Sequence, residues 1–594
     1  MYLAELKLWN FRKYGGSSID LALPHLCIPF NKGLNILIGE NDSGKTAIID
    51  AVKLVLKTHA YEWIKTEHED FHQNESRLRI ELSIKGFSPS EAKNFTEWLT
   101  MEGSGTTAQP VLKLIYQAER RDGKILPADV KAGSDDSGFL LHAEAREYLK
   151  ITYLKALRDA PNDLIAKKSS RLSQILQEHF LFKKKDISEK HDFELAFMKV
   201  NDEIEKWFDG HGKKEHIKDK MDSFLERFIS RLFKSNLSLG EPQIRNILEK
   251  ITLSIAQEKN LGLGTLNRLY MAVELLHLKK DWDGLKLCLI EEQEAHLHPQ
   301  AQMKVIKALQ SEDEVQFILS THSPNLASKV PLHNIILLKD GNAYPLGENP
   351  VDKDPKSKED RYTKLSTDDY QYLERFLDVT KANLFFAKGV IVVEGWSEEI
   401  LIPALASKLG YNLTQNEVSL VNVGSTAYLR FAKIFLRNDG KILSTPVAIV
   451  TDLDNRPAVT GDFDDVVTKI KAEAINALVT SFKDTAVEIF IAKDWTLEWC
   501  LYKSATLSNL FIESVREVHS KTDEFKEGKF EEAKFIAKLR KDKGQTPLDK
   551  VEIAYRFAIK LEKDVDLKIA DIEKDEYLDY LIKSIKHVCD ESEN

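Results

Sequence analysis

Cysteine is scarce in this chain. Cys27, Cys288, Cys500 and Cys589 are the only four in 594 residues, and they are widely scattered. Such a set excludes a disulfide framework and a thiolate metal site, and it fits a reduced compartment. Long apolar runs are missing as well. None reaches the roughly 18–20 residues that a membrane helix needs. The opening residues, Met1-Tyr2-Leu3-Ala4-Glu5, show no basic stretch followed by an apolar core, so no secretory signal is expected and the chain reads as cytoplasmic, with no membrane partner. An excess of positive charge is also lacking. The formal net charge of −10 argues against a protein that coats nucleic acid, while leaving room for an enzyme with a local basic groove. The lysine-rich stretches Lys183-Lys184-Lys185 and 538–543 read as solvated faces. Residues 162–241 contain no proline, and no internal repeat is visible.

What is present is phosphate chemistry, twice. Gly39-Glu40-Asn41-Asp42-Ser43-Gly44-Lys45-Thr46 fits G-x-x-x-x-G-K-(S/T) at every fixed position. The apolar run Leu34–Ile38 before it reads as a buried strand, and Thr46–Lys57 after it has helical spacing. Strand, glycine loop and helix are the order a phosphate-binding loop requires. Gly39, Asn41, Asp42, Ser43 and Gly44 would form the cradle, Lys45 would reach the β/γ-phosphates of ATP, and Thr46 would hold Mg²⁺. Downstream, the apolar strand candidate Leu287–Ile290 ends in Glu291-Glu292. This is Walker B geometry, with Glu291 in the Mg²⁺ shell and Glu292 orienting or deprotonating the attacking water. The next apolar run, Phe317–Ser320, ends in Thr321-His322-Ser323-Pro324, where His322 is placed to face a γ-phosphate.

The second signature is acidic. Gly389–Val393 reads as a buried strand that delivers Glu394, then Gly395 and Glu398, with a helix over Ile400–Leu409. Val447–Val450 is another strand, ending in Thr451-Asp452-Leu453-Asp454. Acids at i, i+2 beyond a strand end can share one metal, and carboxylates alone suit hard ions such as Mg²⁺ or Mn²⁺. Ions of that kind beside a phosphodiester promote its cleavage.

The first half resembles the ABC-type ATPases of recombination and chromosome maintenance, through residues 290–299, Leu319–Pro324 and the opening Leu6–Arg12. That resemblance implies a signature loop facing ATP on a partner subunit. The candidate is Leu261–Asn267, with Gly264 as the backbone contact helped by Thr265 or Asn267, followed by a helix over Arg268–Leu278. Leu263 departs from the Ser common at its position. Strand-Glu-Gly followed by strand-Asp-x-Asp resembles the Toprim domain. The two together are the layout of the OLD (overcoming lysogenization defect) family of nucleases, whose relatives include Gabija-type and retron-associated antiphage effectors. Residues 153–160 also resemble an OLD-type string. The family pattern implies Glu498, after the strand Val487–Ile491, as a further metal ligand, and Lys534 as the catalytic lysine, with Lys538 as the fallback.

The expected fold is therefore α/β: an ABC-type P-loop ATPase domain with a helical insertion, followed by a Rossmann-like Toprim domain. The expected boundaries are 1–164 and 251–340 for the two ATPase lobes, 165–250 for a helical dimerisation insertion, 341–380 for a polar linker and 381–594 for Toprim. Apolar stripes at helical spacing in the insertion, such as Phe193, Phe197, Val200, Ile204 and Phe208, support its helical reading. The expected function is an ATP-regulated, divalent-metal-dependent DNA endonuclease of antiphage or anti-plasmid defence, acting as a homodimer or higher homo-oligomer. The resemblance leaves open a helicase-like partner protein or a retron RNA/DNA. The alternative is an ABC-type repair or clamp ATPase whose Toprim half binds nucleic acid without cutting. A topoisomerase would need a tyrosine nucleophile on a second cleavage domain.

Overall fold

The computed structural model describes residues 1–590 except 17, 61–63, 104–107, 156–163, 169, 185–188, 211–216, 229–241, 257, 259–261, 280–283, 295–296, 349–360, 426, 458–472, 474–476, 478, 481, 522–524, 527–529 and 545. Several expectations fall outside these residues: most of the OLD-type string, Leu261 of the signature loop, and residues 349–360 of the expected polar linker.

The chain forms two compact units. The first comprises residues 1–6, 49–71 and 76–319, and the second 7–48, 72–75 and 320–594. The division runs through the ATPase sequence and not at its end, so the glycine loop and the Toprim region share the second unit.

In the first unit the long strand Gln109–Arg121 pairs antiparallel with Arg77–Lys85 on one side and Val130–Ala132 on the other. The inward positions Leu78, Ile80, Leu82, Leu112 and Leu114 are fully buried, which fixes the register. Beside this meander lies a parallel set. Thr152–Leu154 pairs with Leu287–Ile290, which pairs with Gln316–Thr321. Their near-continuous burial is that of strands covered on both faces. The unit's helices include Arg171–Glu178, Asp192–Gly210, Ile217–Phe228, Leu263–Leu278 and Pro299–Gln310. Where the insertion is described, its apolar stripes are packed only in part: Phe197, Ile204 and Leu225 are partly buried, whereas Phe193, Val200, Phe224 and Phe228 are exposed, the last at 81%, as is the neighbouring Trp207.

In the second unit Leu34–Ile38 pairs parallel with Ile335–Lys339, which turns back into Asn342–Pro345. The Toprim region is a four-stranded parallel sheet in the spatial order Val418–Asn422, Gly389–Val393, Val447–Thr451, Val487–Ile491. Its core gathers Ile391, Val393, Leu401, Leu405, Trp495, Phe511, Phe557 and Ile585. Each such side chain contributes about 1.5–3 kcal/mol on burial.

The stretch 341–380, read as a linker from its polarity, carries structure in its described part. Asn342–Pro345 is a strand, and Thr367–Phe376 is a helix that buries Tyr370 and Leu373. The polarity belongs mostly to the run 352–360. The strand is fastened to the Toprim region: Arg437 donates to the Pro345 carbonyl at 2.7 Å, Tyr344 donates to the Ile442 carbonyl at 3.0 Å, and Ser444 bonds Asp340.

Candidate nucleotide and metal sites

The glycine loop is shaped by positions only glycine tolerates. Gly39 has φ +154° and Gly44 φ +99°. A Cβ at Gly44 would lie 2.0 Å from the Tyr14 hydroxyl, and one at Gly39 would lie 2.5 Å from the Leu338 carbonyl oxygen. Tyr14 in turn donates to the Ser43 carbonyl at 3.1 Å. The buried Lys45 ammonium donates to the Gly39 and Glu40 carbonyls at 2.8 and 2.6 Å and to Ser43 Oγ at 3.1 Å. Asn41, Asp42 and Thr46 are exposed, and Asp42 takes φ +60°. A loop that holds one ammonium at its centre, at the start of the helix Lys45–Leu56, is a fitting receptor for an anionic phosphate. The outer edge of this loop is tied across the unit. Lys339 Nζ lies 2.8 Å from Glu40 Oε1 and also donates to the Ala387 carbonyl at 3.1 Å, just before the first Toprim strand.

The Walker B strand Leu287–Ile290 carries its acids in the first unit. Glu291 is nearly buried, and the Tyr153 hydroxyl donates to its Oε2 at 2.7 Å. Lys53 lies 3.7 Å from the Tyr153 ring centre and 3.1 Å from Asp50 Oδ1. Burial raises the Glu291 pKa, Tyr153 and Lys53 oppose the rise, and Asp50 and Glu292 add to it. A carboxylate surrounded in this way suits a nearby cation. Glu292 is exposed and takes φ +41°. His322 is partly buried directly after the strand Gln316–Thr321. Gly264 is the second residue of the helix Leu263–Leu278, which is capped by Gly262 and begins five residues before the expected Arg268. It therefore lies in the first turn, where backbone N–H groups lack intrahelical partners.

The Toprim carboxylates collect at one sheet edge. The sheet's first strand lies between the second and third, so its switch point falls between Gly389–Val393 and Val447–Thr451. Ligands of open parallel sheets bind beyond the strands' C-terminal ends at such a point. Glu394 and Asp452 are the residues that follow those two strands. Val393 pairs with Val450, which sets Glu394 beside Thr451, and the Thr451 hydroxyl donates to Glu394 Oε1. Asp452 Oδ1 accepts from the Leu497 backbone N–H at 2.9 Å, at the start of the helix Leu497–Lys503. Glu498, in that first turn, is buried and accepts from Thr496 Oγ1 at 2.9 Å. Glu398 lies in the first turn of the helix Trp396–Lys408, and Asp454 is exposed with φ +54°.

The sequence reading missed Lys550. Its Nζ lies 2.7 Å from Glu498 Oε2. It also interacts electrostatically with Asp452 and Glu398. Lys550 is the first residue of the helix Lys550–Lys563, capped by Asp549, and that helix packs along Trp396–Lys408. Lys534 sits partly buried on the helix Glu532–Leu539, and among the described residues no hydrogen bond or ion pair joins it to the carboxylates. Lys538 turns toward the Thr546 carbonyl and the Phe525 ring.

Crowding of these acids is visible in their protonation. Burial, then Glu498, pushes the Glu398 pKa up to about 7. Burial, Glu498 and Glu398 push Asp452 well above the usual carboxylate range. Burial raises Glu394 as well, against the Thr451 hydrogen bond. At Lys550 burial disfavours the charge, but Glu498, Asp452 and Glu398 outweigh it and raise the pKa. An all-oxygen set of mutually repelling carboxylates fits a hard divalent cation. Among the described residues, no three of these acids bring ligand atoms within 4.8 Å of one another. Mg²⁺ keeps several waters and needs only one or two carboxylates, so such a spread suits it.

Family models match both halves. The model described as "Overcoming lysogenization defect protein-like, TOPRIM domain" matches residues 385–454, and that described as "AAA ATPase domain" matches 1–257 and 145–327. The chain belongs to the AAA ATPase domain family and carries an OLD-like Toprim domain. This ATPase–Toprim chain is 21% identical to Endonuclease GajA of Bacillus cereus (strain HuB5-5), over 93% of its own length and 90% of that protein's. It is 23% identical to the OLD nuclease of Thermus scotoductus, over 77% and 82%. A stretch covering 30% of the chain is 30% identical to the Retron Ec83 probable ATPase of Escherichia coli, and spans 36% of that protein. Among the described residues no helix is long and apolar enough to cross a membrane.

Proposed function

We propose that this chain is an ATP-regulated, divalent-metal-dependent DNA endonuclease of antiphage or anti-plasmid defence. The observation that carries the reading is the joining of Glu394, Glu398, Asp452, Glu498 and Lys550 at the switch point of a parallel sheet. The relatives named as nucleases support it.

Glu394, Glu398, Asp452, Asp454 and Glu498 would hold Mg²⁺ or Mn²⁺. Such an ion, when bound, supplies an activated water and stabilises charge on the phosphate. The chain's own residues do the rest. Asp452 is oriented by the Leu497 N–H, and Glu394 by the Thr451 hydroxyl. Lys550 provides a fixed positive charge that would meet a non-bridging phosphate oxygen. In the ATPase half, Gly39–Gly44, Lys45 and Thr46 would receive the nucleotide phosphates. Glu291 would serve its Mg²⁺, Glu292 and His322 would serve hydrolysis, and Gly264 would meet ATP on a second copy of the chain.

The test is incubation with supercoiled plasmid and Mg²⁺ or Mn²⁺, with and without ATP. The Asp452→Ala, Asp454→Ala double variant should lose cleavage and keep ATP hydrolysis. Cleavage at the parent rate by that variant would remove the nuclease reading and leave the DNA-binding clamp in its place.

A further inference from the structure

Away from both sites, three donor residues from separate stretches of the first unit converge. His59 lies three residues beyond the loop helix Lys45–Leu56. Glu178 ends the helix Arg171–Glu178, and His277 is in the last turn of Leu263–Leu278. One donor atom from each lies within 4.8 Å of the other two. His277 Nε2 is 3.5 Å from Glu178 Oε2, and the two imidazoles meet edge to face with centroids 4.8 Å apart at 88°. His59 and His277 are 8% and 3% exposed, while Glu178 is only partly buried.

We propose that His59, Glu178 and His277 bind one Zn²⁺-class transition-metal ion. Two donors bonded to a tetrahedral ion at about 2.0–2.1 Å stand roughly 3.3–3.5 Å apart. The His277–Glu178 separation has that value, and the partly exposed Glu178 side chain is the member that can rotate to close the wider gaps. Two imidazoles with one carboxylate is a donor set for Zn²⁺, whereas Mg²⁺ and Ca²⁺ prefer oxygen alone. Exposure at Glu178 leaves an entry path and a fourth position for water.

The donors also stand on fixed supports. Arg171 makes a buried two-point ion pair with Glu274, at 2.6 and 2.8 Å, between the same two helices that carry Glu178 and His277. The His59 backbone N–H donates to the Ile151 carbonyl at 3.0 Å, and the Ile151 N–H donates to the Lys57 carbonyl at 3.1 Å. The ion would therefore fasten the exit of the loop helix to the end of the candidate signature helix. Its role would be structural, apart from nucleotide and DNA chemistry.

The test uses the full chain stripped of metal by a chelator and titrated with Zn²⁺, and with Co²⁺ as a spectroscopic probe. One tight ion per chain is expected, with the intense visible absorption of low-coordinate Co²⁺. The Asp452→Ala, Asp454→Ala variant should keep it, which separates this site from the Toprim acids. His59→Asn with His277→Asn should weaken binding by about a hundredfold or more, and Glu178→Gln by about tenfold. Zn²⁺ should raise the Tm of the parent and not of the histidine variant. If that variant fails to fold, Glu178→Gln, at a partly exposed position, still decides. Parent protein that takes up no Zn²⁺, or variants that bind it with the parent's affinity and stoichiometry, would overturn the assignment.

Discussion

At the scale of single residues, the proposed cleavage site turns on one lysine. Lys550 bonds the buried Glu498 at 2.7 Å, whereas Lys534 has no described tie to the acids. Removing a preorganised charge from a phosphate-transfer site costs about 10²–10³ in rate. Lys550→Met should therefore reduce plasmid cleavage by that order, and Lys534→Met should leave it within about threefold. A fall with Lys534→Met alone, measured under single-turnover conditions, would return the role to Lys534. Glu394, Asp452 and Asp454 and the glycine loop could be named from the sequence because each lies just after a short apolar run or within a fixed motif, Glu398 follows in the next turn, and Glu498 came from the family pattern alone. Lys550 was not, since it reaches the acids only through helix-on-helix packing, and its one local cue is the Asp549 cap. Tyr153 opens the OLD-type string, but its bond to Glu291 depends on strand pairing across more than a hundred residues.

At the scale of elements, strands were easier to place than helix starts. Leu34–Ile38, Leu287–Ile290, Gly389–Val393 and Val487–Ile491 coincide with their apolar runs. The helices Leu263–Leu278 and Trp396–Lys408 begin earlier than apolar spacing suggests. Each follows a glycine cap, Gly262 or Gly395, and opens on a turn that is partly solvated. The helix Thr367–Phe376 was hidden by polar neighbours. It is held by a reciprocal cap: Ser366 N–H and Oγ donate to Asp369 Oδ2 at 2.9 and 2.8 Å, and Lys433 reaches the same oxygen at 2.9 Å. Asp369→Ala would leave those donors without their acceptor and should cost about 1–3 kcal/mol, read as a lower urea midpoint at unchanged slope. Burial works against the Asp369 charge, but these bonds outweigh it and lower its pKa. Its contribution should thus be complete above the unfolded value near 4 and fade as pH falls through the lower folded value. A parent and variant of equal stability at pH 7 would dismiss the cap.

At the scale of the molecule, two expectations concern assembly and coupling. Trp207, Phe224 and Phe228 expose large apolar faces on the insertion helices, with the two phenylalanine rings stacked 6.4 Å apart. Apolar groups exposed in this way are where the proposed association between copies would form. Phe224→Glu with Phe228→Glu should turn a dimer into a monomer by light scattering and reduce ATP hydrolysis at least tenfold. A parent that is monomeric and fully active at micromolar concentration would refute this. The proposed coupling would run through Lys339, which bonds both the nucleotide loop at Glu40 and the chain entering the Toprim sheet at Ala387. A ligand shifts an equilibrium only through its differential affinity for the two states. Lys45→Ala, which cannot close on ATP, and Glu292→Gln, which traps it, should therefore cut DNA at different rates. Lys339→Met should bring those rates together. Equal rates in the Lys45 and Glu292 variants at low and high ATP would show independent halves.

The fastening of Asn342–Pro345 to Arg437 and Ile442 bears on how the protein can be taken apart. The peptide bonds of 349–360 join two stretches that already grip each other on either side of that run. A gene divided between Glu348 and Arg361 should therefore complement in trans when both pieces are co-expressed, with the two fragments, separate on a denaturing gel, migrating as a single native particle.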